Sequence, residues 1–252
     1  MTPRYDGPMN DPGGPRQFVT THWSLVGAAK PDEASQSRAR EAMEELCRAY
    51  WYPLYAFVRS GGYSASDAQD LTQAFFARII ETGGFASADR KRGRFRSYLL
   101  GAMKHFLANE WHRAQTQKRG GKVRFIEFDA LDPEARYAGA SGQSDDPQLL
   151  FDREWALETV AGALQKLREE MVEAGKSDQF DALKGSLTGE GELPREQIAA
   201  RLGTSEGAVK VAVHRLRERY RKLLRAAIAE TVSNEADLED EMRYLIVVLR
   251  KQ

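Results

Sequence analysis

The sequence predicts an all-α protein: two helical domains joined by a flexible linker, the C-terminal one with a helix-turn-helix. Three observations carry this. Apolar residues recur at helical spacing through most of the chain, with no strong alternating run to suggest strands. Leu193 to Leu224 reads as two helices meeting at a short break, and residues 120 to 146 are too polar to supply a core.

The helix-turn-helix pattern is built from local signals. Pro194 suits the first turn of a helix, where its missing N–H has no partner anyway, and Ile198, Ala199 and Leu202 follow at helical spacing. Gly203 supplies the positive φ of a tight exit. Ser205 can cap the next helix through its hydroxyl, and Glu206 suits that helix's positive end. Val209, Val213, Leu216, Tyr220 and Leu223 then form one apolar stripe, with Lys210, His214, Arg217 and Arg221 off it. From Arg195 to Arg225 nine basic residues face three acidic ones, a net of +6. A basic outer face on such a pair of helices is the geometry that puts the second helix into a DNA major groove. Lys210 and His214, one turn apart, are expected at base edges, and Arg219 and Arg221 at phosphates.

Residues 1 to 17 hold four of the nine prolines, with Gly7, Gly13 and Gly14, and read as a disordered leader without the apolar core of a secretion signal. No segment approaches the roughly 20 apolar residues that span a bilayer. The one cysteine, Cys47, sits among helical apolar positions and reads as a core thiol. A single cysteine excludes an intrachain disulfide and fits a reducing cytoplasm.

The first folded region opens with Thr20 to Val26 and a helix from about Ser37 carrying Ala42, Leu46, Tyr50, Leu54, Phe57 and Val58. Gly61 and Gly62 end it. Ser64 or Ser66 can cap the next helix, where Leu71, Phe75, Phe76, Ile79 and Ile80 make a wide apolar face. Asp67, Gln69, Asp70 and Gln73 remain as a polar strip, which residue types alone would give as solvated surface. From Arg90 to Arg124 the chain has eleven basic residues against Glu110 alone, a net of +10. Between the basic clusters lies a helix with Phe95, Leu99, Met103, Phe106 and Leu107 as core, and Tyr98 and Trp111 as protruding rings. Cations that hold the backbone beside rings that stack on bases suit single-stranded DNA.

The connecting segment carries six acids and one base from Phe125 to Asp146, a net of −5. Pro147 to Ala174 then reads as an amphipathic helix, and Asp178 to Leu187 as a second short one. The tail, Ala226 to Gln252, has a net charge of −3 and a helix whose apolar face comprises Leu238, Met242, Leu245 and Leu249, with Ile246 beside them. That face packs on the helix-turn-helix scaffold, or else it regulates, by covering the recognition surface or docking on another subunit.

No enzyme chemistry assembles from these residues. His22, His105, His112 and His214 lack companions at metal-ligand spacing, and there is no phosphate-binding G-x-x-x-x-G-K-[ST] loop. No metal or cofactor is expected.

Three segments in order carry a family resemblance: D-A-Q-D-L-T-Q-A-F-F at Asp67 to Phe76, F-R-S-Y-L-L at Phe95 to Leu100, and I-A-A-R-L-G-T-S-E-G-A-V-K-V-A-V-H-R-L-R at Ile198 to Arg217. Together they resemble the extracytoplasmic-function sigma factors, promoter-specificity subunits of bacterial RNA polymerase. The resemblance implies a region-two-like domain at 18–119, an acidic flexible linker at 120–146 threading the polymerase's nucleic-acid path, a region-four-like domain at 147–228 and a C-terminal amphipathic helix at 229–252. It implies that Asp67, Asp70, Gln73 and Phe76 grip the polymerase. Reading and opening of the minus-ten element falls to Arg94, Arg96, Tyr98, Lys104, His105, Asn109, Trp111 and Arg113. The minus-thirty-five element falls to Ser205, Glu206, Lys210, His214, Arg215, Arg217 and Arg221. The chain departs from many members at His105, where they carry Asn, and at Asn109, where they carry an acid. Core RNA polymerase and promoter DNA are the implied partners, and an anti-sigma protein is a third that the resemblance admits. The competing reading is a stand-alone helix-turn-helix regulator of duplex DNA, which does not require the basic aromatic helix at 95 to 113.

Overall fold

A run as aromatic as Tyr50-Trp51-Tyr52-Pro53-Leu54-Tyr55 has no polar face to show to water, so its helix has to be surrounded. The computed structural model, which describes residues 33–82, 94–116, 133–140, 146–189, 191 and 193–250, places it so. Helix α1 (Glu33–Ser60) is buried on all sides between Tyr50 and Val58, and each large side chain there contributes about 1.5–3 kcal/mol through burial. It begins four residues before the expected Ser37.

Every regular element among the described residues is helical, as the sequence predicts. Helix α2 (Ala65–Thr82) starts at Ser64, whose Oγ accepts the Asp67 backbone N–H at 3.1 Å and donates to the Asp67 carboxylate at 2.7 Å. Helix α3 (Phe95–Thr116) packs Leu99, Met103 and Phe106 into the core, with Phe106 edge-on to Phe75 of α2. Helix α5 (Pro147–Glu173) has Pro147 in its first turn and Asp146 as its cap, accepting from the Gln148 N–H at 2.9 Å. The second short helix of the C-terminal half is two pieces, α6 (Ser177–Leu183) and α7 (Gly185–Thr188), divided at Lys184. Then come α8 (Arg195–Leu202), α9 (Glu206–Ala229) and α10 (Glu235–Arg250). No helix among the described residues is long and apolar enough to cross a membrane.

The two halves lie on each other. Helix α1 packs more extensively on α5 than on α2, its own neighbour in sequence, and the buried apolar residues of both halves form one cluster. The seam is incompletely filled. A cavity of about 260 Å³ lies between α1, α5 and α9, lined by Leu46, Tyr50, Trp155, Leu223 and Ile228 among others.

Part of the acidic connector is helical. Residues 133–140 form helix α4 (Pro133–Ala140), held by charge where apolar residues are scarce. Glu134 accepts from Arg59 at 2.6 and 3.0 Å and from the Tyr55 hydroxyl at 2.7 Å. Arg136 lies 3.6 Å from the centre of the Tyr52 ring and pairs with Glu154 at 2.8 Å and with Glu158. One short helix thus bonds to both α1 and α5. Residues 120–132 and 141–145 of the connector lie outside the described residues, as do the leader, Thr20 to Val26 and Arg90 to Gly93.

Cys47 is buried on α1, and burial, assisted by the nearby Glu44 charge, pushes its thiol up to about 12. An unfolded thiol titrates near 8.5, so the stability this burial supports is complete below that pH and declines as pH rises toward 12. At pH 9 a thiol-disulfide reagent should therefore label Cys47 only at the rate of unfolding, and immediately in denaturant. Rapid stoichiometric labelling of the native protein would contradict this placement.

Candidate nucleic-acid interface

Helices α8 and α9 meet at a short turn where the sequence puts their boundaries. Gly203 has φ +61°, the left-handed conformation that side chains resist, and its N–H and that of Thr204 close the end of α8. The Ser205 hydroxyl accepts the Ala208 N–H at 3.2 Å, so α9 starts at Glu206. Val209, Leu216 and Leu223 are buried and Val213 and Tyr220 half-buried, so the stripe holds α9 against its scaffold. The Tyr220 hydroxyl donates to the Val160 carbonyl of α5 at 3.1 Å.

That packing leaves Ser205, Glu206, Lys210, His214 and Arg215 exposed on the outer arc. Arg217 and Arg221 are also exposed, though each has a local partner: Arg217 donates to the Ser186 carbonyl at 2.8 Å, and Arg221 pairs with Glu218. Arg219 pairs with Glu170 of α5.

Helix α3 divides the residues assigned to it. Trp111 is 55% exposed, set edge-on to His112, and His105 is exposed with its ring 3.1 Å from the half-buried Asn109 amide. Lys104 is exposed and donates to Gln148 of α5 at 3.1 Å. Tyr98 is half-buried against Phe95, and the Arg113 side chain lies outside the described residues.

Arg96 corrects the expectation of an open basic surface. It is buried, because acids from two other helices converge on it. Its Nε and Nη2 donate to the Glu241 carboxylate of α10 at 2.8 and 3.1 Å, and its Nη1 donates to Asp152 of α5. The guanidinium carbon lies 4.9 Å from the Trp155 ring centre and 4.3 Å from that of Tyr244, whose hydroxyl donates to Asp152 at 2.6 Å. Burial opposes the charge, but the hydrogen bonds and charge of Glu241, with the charge of Asp152, outweigh it and raise the guanidinium above its ordinary range. Arg94, half-buried, pairs with Glu241 at 3.2 Å and Asp240 at 3.7 Å.

On α2, Asp67, Gln69 and Asp70 stand exposed as the polar strip requires. Phe76 is 0% exposed and Gln73 is buried, so these two are core positions in this arrangement rather than members of a gripping surface. Phe76 packs edge-on to Phe75, and the Gln73 Oε1 has no hydrogen-bond partner among the described residues.

Two exposed faces therefore share one chain: the basic outer arc of α9, and a helix with an exposed indole. The family model described as ECF sigma factor matches residues 35–226, spanning both. The chain belongs to the ECF sigma factor family. No curated protein and no solved structure gives a match. The family is one of non-catalytic transcription factors, and its membership gives this sigma factor a role in transcription initiation.

The sigma factor carries two features that the sequence reading missed. Val211 is 49% exposed on the same arc as Lys210, His214 and Arg215, where a small apolar group can meet a thymine methyl. An apolar residue off the stripe was the available signal. Glu241 is 1% exposed and falls in register with Leu238, Leu245 and Val248, the buried face of α10. A charge in an apolar register is the signature of a buried pair, and the predicted face was rotated from this one: Met242 and Leu249 are half-buried and Ile246 is exposed.

Replacing one member of a buried pair strands the other's charge. Arg96→Met should therefore cost about 3–5 kcal/mol in urea unfolding. A loss below about 1 kcal/mol, the range of surface pairs, would show that the cluster is wet and weak.

Proposed function

We propose that this sigma factor docks on core RNA polymerase through the exposed Asp67, Gln69 and Asp70 of α2, reads the minus-thirty-five element with α9, and opens the minus-ten element with α3. Trp111 carries the reading. A ring of that size costs free energy when left in water, and on a helix beside a strongly basic stretch it supplies what an unpaired base can stack on. A regulator that binds only duplex DNA has no use for it.

On α9, Lys210, Val211 and His214 lie on the arc facing away from the scaffold and would approach base edges, while Arg215 and Arg221 would meet phosphates. On α3, His105 and Asn109 bond to each other on a different side of the helix from Trp111, and they would contact the opened strand beside the bases that its ring stacks on. Polymerase supplies the catalysis. The sigma factor's contribution is position and differential affinity for the opened strand. Run-off transcription with core polymerase on a pool of promoter fragments, with and without this protein, tests the reading as a whole.

Two variants test its parts. Asp70→Lys reverses charge at an exposed site and should reduce co-purification with core polymerase while leaving helicity intact. Co-purification equal to wild type would remove α2 from the docking surface. Lys210→Ala should change which promoters are preferred, whereas Arg221→Ala should weaken binding about equally on all sequences and lower the salt slope by roughly one. Uniform losses from both would mean that α9 enters DNA in another orientation.

A further inference from the structure

The family match ends at residue 226, and α10 lies beyond it. This added helix places four of its five acids in two groups. Glu235 and Glu239 pair with Arg225 near the end of α9, and Asp240 and Glu241 pair with Arg94 and Arg96 at the start of α3. It leaves Lys210, His214 and Arg215 exposed, so it does not cover the recognition arc. What it occupies is the basic entrance of the helix assigned to the opened strand.

The contact is wider than charge. The segment between α9 and α10 supplies the Thr231 carbonyl that accepts the Phe95 N–H at 3.2 Å, satisfying one of the free donors at the N-terminus of α3. Tyr244 of α10 lies on one ring contact of Arg96, and Trp155 of α5 supplies another. Three helices, from the N-terminal half, the C-terminal half and the tail, thus meet on a single guanidinium. The apolar seam that they hold shut contains the cavity between α1, α5 and α9. The contacts of α10 with the start of α3 are polar, the kind across which parts of a chain separate more readily than across an apolar core.

We propose that α10 is a releasable clasp. Through Asp240 and Glu241 it withholds Arg94 and Arg96 from nucleic acid and holds the N-terminal helices against α5, and single-stranded DNA has to displace it. The proposal rests on the sigma-factor reading of α3. The acids of α10 stand where phosphate would otherwise balance the two arginines, so strand and clasp compete for the same charges.

The probe is a short fluorescent oligothymidine, titrated against the full chain in the absence of polymerase, with a duplex fragment as control. Glu241→Gln should bind the oligothymidine at least about fivefold more tightly, the lower end of ordinary coupling between sites, and should bind the duplex as wild type does. A chain ending at Asn234 should gain more and show a larger radius of gyration in solution scattering. Adding a synthetic peptide of residues 235–250 should reverse both effects. If Glu241→Gln does not fold, Asp240→Asn, at a half-exposed carboxylate, carries the test with a gain of about twofold. Oligothymidine affinity unchanged in every variant that keeps its helicity, with only a lower Tm, would overturn the clasp and leave α10 a buttress. Run-off transcription by the wild-type protein separates the two readings. Its failure would remove the sigma-factor function, whereas normal transcription with unchanged oligothymidine binding would remove the clasp alone.

Discussion

A guanidinium taken out of water has to have its charge balanced by the protein, and the Arg96 site shows how much structure that requirement can organise. Two carboxylates and two aromatic rings are needed, and they come from α5 and α10, helices distant in sequence from α3. With Arg96 buried, both α10 and α5 have to lie against the start of α3. An apolar residue there would allow many near-equivalent packings. A hydrogen-bonded ion cluster allows few, because any shift leaves a charge in low dielectric without its partner.

The same logic at lower strength runs through the connector. Helix α4 has too few apolar residues to dock by burial, and bonds instead through Glu134 to Arg59 and Tyr55 and through Arg136 to Glu154. Arg59 and Glu134 are partly exposed, so that pair holds only weakly and responds to salt, whereas Arg136 reaches a buried carboxylate at Glu154. The molecule thus has one strong polar joint at Arg96 and one soft joint at α4, on either side of the α1–α5 seam.

What the sequence made legible follows the range of the forces involved. The boundaries of α8 and α9 were readable almost to the residue because Pro194, Gly203, Ser205 and the Val209 stripe act within a turn or two of themselves. The aromatic core of α1 was readable because nothing else can be done with Tyr50 to Tyr55. Arg96 was assigned to an open surface because its neighbours in sequence are basic, while the acid that buries it lies 145 positions away. Gln73 and Phe76 were drawn to the surface by a family pattern, whereas the packing of α2 on α1 turns both inward. In α10, a face chosen by hydrophobicity alone missed Glu241, since its burial depends on a partner that no periodicity within α10 encodes.

The docking of α4 also sets a geometric limit. While α4 stays on α1, the only covalent path from it to α5 is the six steps from Ala140 to Asp146, which span at most about 20 Å when fully extended. Parting the seam alone would then leave the halves on a short leash, with a high local concentration of each for the other and rapid reclosure. Lifting α4 from Arg59 adds its own residues to the tether and lengthens the reach in one step. The separation open to the two halves is therefore governed by the few charges that dock a single helical turn, and it should lengthen with ionic strength before any helix melts.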